Sequence, residues 1–519
     1  MLKIRFLISS IRSFWESKPL TIILFLAILV RLLSVIFAKG WGMLDDHFLV
    51  IEVAQSWADG FDVNKWLPWT VGNKGPEGHS FLYVGLHYFL FNFLNAIGLN
   101  NPQGKMYVVR LLHATWSLLV VYYGYKITLT FSNLSTAKIT GLLLASFWFM
   151  PWTSVRNLVE IAAIPLLVWG TWVLVSANEK KHPLLQILFS GLIIGFAFSI
   201  RYQVGIYAAG IGLALLIQRE FKNTILFGLG VIASILLIQG GIDLFIWGRP
   251  FAEMGEYIQY NIDNKYNFIQ GGWYNYFLLI LGMLLPPISL FLFFGAFYNP
   301  QKRWVLFLPV IFFIAFHAYF PNKQERFILT ILPSFIICGS IGWHAFLENS
   351  MWWKKHALLY RNLWIWFWVL NTVLLFTLST MYSKKSRVEA MYSLYKYKNI
   401  TEIMVENTNA EKVDILPQFY AGQKIVSVDI SQNKPLDSFK NKMGVIEENS
   451  RFVLFVGDNN LDQRIKNISK IYKNLVIETT AKPGYLDQLM YKLNPSKNTN
   501  QTIYIYRNRK FYPDKMSGE

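Results

Sequence analysis

Two short polar segments of this chain combine residue types that could catalyse a transfer reaction. They are Asp45–His47 (DDH) and Asn322–Phe327 (NKQERF), and each adjoins a long hydrophobic stretch. Because charge beside lipid is costly, carboxylates and cations kept at such positions are functional candidates. A carboxylate could take the proton of an attacking hydroxyl, and cations could stabilise an anionic leaving group.

Asp45 and Asp46 follow the segment Gly40–Gly42, where the chain leaves its first hydrophobic run. Adjacent side chains diverge, so we expect one carboxylate to act as the base and the other to orient a hydroxyl or a neighbouring group. The alternative is a helix N-cap, where Asp is common. Glu52 lies further along the same predicted helical segment and is a candidate for binding substrate.

Lys323 and Arg326 are three residues apart, so at the start of a helix they point to one face. The Arg fork suits phosphate oxygens and Lys adds a point charge, so the pair could hold a lipid phosphate without a metal. The alternative is a helix start with side chains that snorkel to the membrane surface. Gln324 and Glu325 could hold the Arg or bind sugar hydroxyls.

Three further arginines are predicted at the ends of hydrophobic segments. Each could bind phosphate or pair with a nearby carboxylate. The arginines are Arg156, Arg201 and Arg249, and the candidate partners are Asp243, Glu160 and Glu253.

The elements that must position these residues are membrane helices. Of the 519 residues, 54% are hydrophobic and 15% are charged, well below the quarter that is usual in soluble proteins. Apolar stretches near 20 residues recur, which is the length that crosses a bilayer. Eleven spans are predicted, near 20–37, 107–131, 137–152, 159–176, 184–200, 203–218, 223–246, 275–298, 304–320, 327–347 and 363–382.

The formal charge of +18 does not indicate a nucleic-acid partner here, because the basic residues lie in short connections between spans. With eleven spans, these connections all fall on one side, which the positive-inside rule makes cytoplasmic. The long loop 38–106, with surface helices at 44–59 and 79–97, is then extracytoplasmic, as is the turn at Lys323 and Arg326. Both polar segments are therefore predicted to face the same side.

The composition becomes that of a soluble protein after residue 382. Strand-like runs occur at Val413–Leu416, Phe452–Val456, Leu475–Thr479 and Thr502–Tyr506, and helical patterns occur near 387–406 and 461–473. We therefore predict a transmembrane catalytic domain over 1–382 and an extracytoplasmic α/β domain over 383–519. The single cysteine, Cys338, allows no intrachain disulfide.

Four segments resemble glycosyltransferase family 22, multi-span enzymes of the GT-C class. Asp45–Phe48 with Glu52 resembles its acidic first-loop pattern, and Asn322–Phe327 is similar to its H-K-E-x-R-F signature. Asp243–Asn261, which contains Tyr257, is similar to its D-x-x-x-x-G-[KR] loop, and Leu416–Tyr420 to a motif of its C-terminal region. Two departures matter: Asn322 replaces the family's His, and Gln324 replaces its first Glu.

The resemblance implies a mannosyltransferase that uses dolichyl- or polyprenyl-phosphate-mannose as donor and a lipid-linked glycan as acceptor. The transfer would be inverting and metal-independent, with no cofactor. Asp45 would be the base with Asp46 as support or alternate, and Lys323 and Arg326 would hold the phosphate. The two departures bear on the contacts with the donor and on the sugar preference.

Two other functions are alternatives to this one. A lipid or glycan transporter or flippase would place charges at mid-depth on facing spans, and we see no matching halves. A membrane scaffold that presents its C-terminal domain is a third hypothesis. The expected location is a bacterial plasma membrane with an extracytoplasmic site, or the endoplasmic reticulum in a eukaryote. Membrane lipids are expected partners, and the acceptor and the oligomeric state are left open.

Overall fold

The computed structural model describes residues 13–73 and 75–513, and most of its elements are α-helices. Their apolar composition matches the predicted hydrophobic segments. The longer helices before residue 380 are Pro19–Phe37, Phe81–Ala96, Pro102–Phe131, Leu134–Ser146, Val159–Val175, Pro183–Ile200, Val204–Ile217, Phe221–Ile235, Gly241–Trp247, Ala252–Asp263, Asn275–Met283, Ile288–Phe297, Trp304–Tyr319, Leu332–Asn349 and Ala357–Ser379.

Within the described residues, seven helices are long and apolar enough to cross a membrane, and the chain is an integral membrane protein. One of them, Phe221–Trp247, contains a π-helical turn at Leu236–Gly240. The predicted span 275–298 consists of two short helices, because Pro286 and Pro287 lack the N–H groups that would continue the first. The number of crossings, eleven, stays a prediction.

Close helix packing depends on small residues. A Cβ atom on Gly191 would collide with the backbone oxygen of Phe227, and one on Gly230 would collide with that of Leu188. Helix Pro183–Ile200 and helix Phe221–Ile235 therefore touch along their backbones. Such contacts are typical of helices in membranes, where no hydrophobic force drives helices together.

The loop after the first helix is helical in the two regions predicted. Leu44–Asp46, the π-helical turn His47–Ile51 and Glu52–Ala58 form one continuous segment, and Phe81–Ala96 forms the other. Their placement on a membrane surface stays a prediction.

A five-stranded sheet lies in the C-terminal region. The strands are β1 (Glu402–Asn407), β2 (Val426–Ser431), β3 (Ser450–Val456), β4 (Leu475–Ala481) and β5 (Ile503–Asn508), in the order β2-β1-β3-β5-β4. The β2, β1 and β3 strands are parallel, whereas β5 pairs antiparallel with β3 and β4. Helix Leu461–Ser469 packs on one face through Ile468, against Met404, Val453 and Phe455.

The predicted α/β character of this region is confirmed, but two of its elements are wrong. Val413–Leu416 is irregular, because these residues belong to the connection between β1 and β2. The helical pattern 387–406 ends early: the helix is Lys385–Ser393, and β1 occupies Glu402–Asn407. The buried run Ile403–Val405 is continuously apolar, as expected for an inner parallel strand.

The chain divides into two compact units. The described residues of the helical unit fall within Met1–Ile36, Asn64–Leu86 and Val109–Thr380, and those of the sheet unit fall within Phe37–Val63, His87–Val108 and Met381–Glu519. In the sheet unit, the Ser383 N–H donates to the Lys39 oxygen (3.1 Å) and Gln103 Nε2 donates to the Tyr382 hydroxyl (3.2 Å). The predicted domain boundary at residue 382 stays a prediction.

Candidate functional site

Asp45 and Asp46, in the sheet unit, have different surroundings. The Asp46 carboxylate is buried and accepts the backbone N–H groups of Gly42 and Met43, both at 3.2 Å. These bonds close the first turn of the helical segment at Leu44, so Asp46 holds the backbone. Asp45 is half-buried. Its carboxylate is therefore the better placed of the two to meet a substrate hydroxyl.

Glu52 joins this segment to the C-terminal motif within the same unit. Its two carboxylate oxygens accept the Phe419 backbone N–H at 2.9 and 2.8 Å. The Nε2 atom of His47 lies 3.3 Å from one of these oxygens, and its ring stacks between Trp41 and Tyr420. The two motifs that resembled family patterns, at Asp45–Glu52 and Leu416–Tyr420, are thus packed together.

Lys323, in the helical unit, has its ammonium group occupied by backbone. Nζ donates to the oxygens of His317 and Ala318, both at 2.8 Å, and to that of Phe320. An ammonium has three N–H donors, so the side chain caps the end of helix Trp304–Tyr319. Burial lowers the pKa of Lys323. Lys323 shapes this turn and adds positive charge to it.

Backbone contacts fix the same turn from the other side. Asn322 forms an antiparallel bridge with Gln270, and the Lys323 N–H donates to the Ile269 oxygen at 2.8 Å. The Tyr276 hydroxyl donates to the Gln324 oxygen at 3.1 Å. The signature segment is therefore held in place before any ligand arrives.

Arg201 and Arg326 converge on one carboxylate, that of Glu160. Arg201 Nη2 lies 3.0 Å and Arg326 Nε lies 3.7 Å from the same oxygen, Oε1. Arg326 Nε also donates to the Gln324 side chain at 2.8 Å. Both guanidinium groups lie near the Phe327 ring, 5.3 and 5.7 Å from its centroid. We call Glu160, Arg201 and Arg326 the arginine cluster.

The arginine cluster contains two cations for one anion. Glu160 is completely buried, and Arg201 is 9% exposed. Among the residues that the structure describes, the Nε atom of Arg201 is buried without a hydrogen-bond partner. Buried polar groups are nearly always paired, so this donor is a candidate contact for a ligand. An anion such as a phosphate has the complementary charge.

Glu160 and Arg201 are each positioned by the end of a helix. Glu160 lies in the first turn of helix Val159–Val175, where the helix dipole favours an acid, and Arg201 caps the C-terminal end of helix Pro183–Ile200, where it favours a base. Sequence reasoning named Glu160 only as a possible structural partner. The available signal was that Glu160 is the one acidic residue of the apolar sequence from 134 to 178.

The loop that resembles the D-x-x-x-x-G-[KR] motif is built around two buried acids, Asp243 and Glu253. Gln239 Nε2 donates to both, at 3.0 and 3.1 Å. The Glu253 N–H donates to Asp243, and Phe81 N–H and Trp247 Nε1 donate to Glu253. Burial, and next the neighbouring Asp243 carboxylate, raise the pKa of Glu253 to about 8. We call Gln239, Asp243 and Glu253 the acidic cluster.

The remaining candidates lie in varied settings. Arg249 and Glu325 are exposed, and Tyr257 is half-buried with its ring packed against Tyr202, 5.1 Å between centroids. Arg156 is buried with its guanidinium over the Trp152 ring. The ligand roles predicted for these residues, and for Gln324, stay predictions.

No group of three or more His, Cys, Asp and Glu side chains that could hold a metal ion occurs among residues 13–73 and 75–513. Metal independence of the reaction stays a prediction.

Solved structures with the same fold are glycosyltransferases of membranes. The chain is similar to ArnT from Cupriavidus metallidurans bound to undecaprenyl phosphate (TM-score 0.61, 13% identity, 94% of this chain and 97% of that one). The match to apo ArnT gives the same TM-score and identity over 96% and 100%. The apo oligosaccharyltransferase of Archaeoglobus fulgidus matches at TM-score 0.50 and 12% identity over 85% and 70%. These likenesses show the GT-C fold.

Sequence comparison gives the family. No curated protein matches the sequence. The model of the Alg9-like mannosyltransferase family, glycosyltransferase family 22, matches residues 21–422, which include all four segments on which the predicted resemblance rests. That resemblance is confirmed: the chain belongs to the Alg9-like mannosyltransferase family of membrane glycosyltransferases.

Proposed function

We propose that this protein transfers mannose from a polyprenyl-phosphate donor to a lipid-linked glycan, with inversion at the sugar carbon and without a metal or cofactor. Family membership supplies the class of reaction. The observation that carries the choice of donor is the arginine cluster, in which Arg201 and Arg326 share the single carboxylate of Glu160. The phosphate of a lipid-linked donor has a charge complementary to these two guanidinium groups.

The likeness to ArnT supports a lipid phosphate. That structure is described as bound to undecaprenyl phosphate, and it covers nearly the whole of both chains. A polyprenyl monophosphate carries less charge than a nucleotide diphosphate, so two guanidinium groups in a buried setting can stabilise it as a leaving group. Lys323 adds positive charge while its N–H groups hold the helix end.

The reaction is a single displacement. The acceptor hydroxyl oxygen attacks the anomeric carbon from the side opposite the phosphate, and the bond between that carbon and the phosphate oxygen breaks. Asp45 accepts the hydroxyl proton, and the polyprenyl phosphate leaves as an anion. Asp46 keeps the backbone around Asp45 in place through Gly42 and Met43. Binding two lipid-anchored substrates at once supplies the proximity that the reaction needs.

The membrane proposed is a bacterial plasma membrane, with the reaction on its extracytoplasmic side. The basic connections on the opposite side support this orientation, and the absence of disulfide pairs, given one cysteine, fits a bacterial exterior domain. In a eukaryote the equivalent site would face the lumen of the endoplasmic reticulum.

The experiment is sugar transfer by the full-length protein in membranes supplied with radiolabelled polyprenyl-phosphate-mannose and extracted glycolipids. We expect labelled glycolipid, unchanged by EDTA. Asp45→Asn should lower kcat about 100- to 10,000-fold, since that is the usual contribution of a general base. Transfer that survives in both Asp45→Asn and Asp46→Asn would reject the assigned base. Movement of donor across the membrane without transfer would favour a flippase instead.

A further inference from the structure

Helix Tyr485–Leu493, in the sheet unit, has an apolar face that stays exposed in the structure. Every residue of this helix is at least partly exposed, and Leu489, Met490 and Leu493 are 48%, 48% and 72% exposed. At 3.6 residues per turn, its apolar side chains share one side of the helix. They are Tyr485, Leu486, Leu489, Met490 and Leu493, whereas Asp487, Gln488 and Lys492 lie on the other side. We call the first set the apolar face.

A second amphipathic helix of the sheet unit, Leu461–Ser469, has its apolar side chains covered. Leu461, Ile465 and Ile468 pack against the hydrophobic core of the sheet. The apolar face of Tyr485–Leu493 has no comparable cover among the described residues. Exposed apolar surfaces bounded by polar residues mark sites that bind a membrane or another protein.

The start of helix Tyr485–Leu493 lies close to the point where the chain leaves a membrane-spanning helix. A Cβ atom on Gly484 would lie 2.8 Å from the backbone oxygen of Tyr382, so Gly484 packs directly on Tyr382. Tyr382 is three residues beyond the end of Ala357–Ser379, one of the seven helices able to cross a membrane. Three residues extend at most about 11 Å. Gly484 is therefore held near the membrane boundary.

A second span ends at the same place. The N–H of Ser383, the residue after Tyr382, donates to the Lys39 oxygen at 3.1 Å. Lys39 is two residues beyond the end of Pro19–Phe37, another helix able to cross a membrane. A Cβ atom on Gly40 would collide with the Ser383 oxygen, so the two backbones touch. The chain thus leaves two spans beside the start of the exposed helix.

Lysines accompany the apolar face. Residues 482–498 include three exposed lysines, Lys482, Lys492 and Lys497, and one acid, Asp487. An apolar helix face with basic neighbours is typical of helices that lie on membranes with anionic headgroups. A second copy of this chain suits the face less, because a two-fold contact would bring the same lysines of both copies together.

We propose that helix Tyr485–Leu493 lies on the membrane surface and attaches the C-terminal sheet to the bilayer. Leu489, Met490 and Leu493 enter the boundary between headgroups and acyl chains, and the lysines contact anionic headgroups. This lipid-binding surface is separate from the sugar transfer proposed above. It would hold the sheet against the bilayer in which lipid-linked substrates are anchored.

The test places an environment-sensitive fluorophore on Leu489→Cys in the full-length protein, held in lipid nanodiscs. The native thiol, Cys338, is buried, so the label reacts with the new one. Val426→Cys is the matched control, because Val426 is 54% exposed and lies on β2, at the sheet edge opposite β4. We expect nitroxides on lipid chains to quench the label at position 489 and aqueous iodide to quench the label at position 426.

Lipid charge tests the role of the lysines. Quenching by lipid should be stronger with phosphatidylglycerol in the nanodisc than with phosphatidylcholine alone. One lysine at an anionic surface strengthens attachment about fivefold, so Lys492→Gln should reduce this gain. Equal quenching in both lipid mixtures would reject the contact with anionic headgroups.

Two other outcomes would overturn the proposal. Equal quenching by iodide at positions 489 and 426 would show that the apolar face lies in water. Protection of position 489 from both quenchers would show that protein covers it, such as a second copy of the chain. Because neither readout depends on sugar transfer, this proposal and the proposed function can fail separately.

Discussion

The helical unit contains two buried clusters of charged residues with opposite designs. The arginine cluster has two cations for one anion, and it leaves Arg201 Nε without a hydrogen-bond partner among the described residues. In the acidic cluster, by contrast, each carboxylate oxygen of Asp243 and Glu253 accepts a hydrogen bond.

The two clusters differ in how they meet the cost of burying charge. Burying a charge is costly unless it is paired. The acidic cluster lowers that cost, because burial and the neighbouring Asp243 carboxylate raise the pKa of Glu253 and so favour its neutral form. The arginine cluster retains its charge, as expected for a site whose anion is supplied by a substrate.

The largest effect should come from Arg326→Ala. Removing one donor that stabilises a developing anion typically lowers the rate about 100- to 1,000-fold, so we expect that loss in kcat/KM for the polyprenyl-phosphate donor. Arg361→Ala, at an exposed helix position, is the control. A loss confined to the acceptor KM would contradict the phosphate role.

Glu160→Gln should destabilise the protein by about 3 kcal/mol, because two guanidinium groups then lack their buried counter-charge. Thermal unfolding in detergent measures this loss. Added polyprenyl phosphate should raise the unfolding temperature of the variant more than that of wild type, since the lipid anion replaces the missing carboxylate. Equal shifts would show that the lipid binds elsewhere.

Gln324→Glu introduces the acid that the family signature carries. The new carboxylate would replace the side-chain amide of Gln324, whose oxygen already accepts a hydrogen bond from Arg326 Nε. Its negative charge would cancel the net charge of the arginine cluster. We expect donor affinity to fall about fivefold to tenfold, the size of one charge-assisted bond. Measuring the KM for the donor in wild type and in the variant checks this value. Tighter donor binding would mean that the family acid contacts the sugar instead.

Glu253→Gln should have the smallest effect on activity and a distinct effect on stability. A carboxyl whose pKa is raised on folding holds a proton that the unfolded chain has lost, so its contribution to stability falls as the pH rises from about 4.5 to about 8. The slope is at most about 1.4 kcal/mol per pH unit. Unfolding temperatures across this range should decline less in the variant. Parallel curves would show that Glu253 ionises normally.

Sequence reasoning recovered the apolar helices and the sheet strands β3, β4 and β5, because each is a local hydrophobic pattern, and it recovered the family from short polar motifs. It missed β1, which overlaps the helical pattern predicted for 387–406, and it missed β2. It named Glu160 as one of three possible partners of Arg201, and the structure forms that pair, but it missed the contacts of Glu160 with Arg326 and of Glu52 with Phe419. These pairs are 41, 166 and 367 residues apart, so helix packing decides them and spacing does not.

Some residues predicted from type alone already bond to the backbone in the structure, and their predicted ligand roles stay predictions. Lys323 was chosen as a phosphate ligand because of its charge, yet its ammonium group bonds three backbone oxygens. Asp46 was grouped with Asp45, yet it holds two backbone N–H groups. A sequence shows which side chains could do chemistry, and only their bonding partners show which are available for it.

The most direct test of the arginine cluster as a lipid-phosphate site is native mass spectrometry of the full-length protein with a polyprenyl phosphate. We expect wild type and Glu253→Gln to retain the lipid equally, and Arg201→Ala with Arg326→Ala to lose it at the same lipid concentration. Undiminished binding by the double arginine variant would contradict the account.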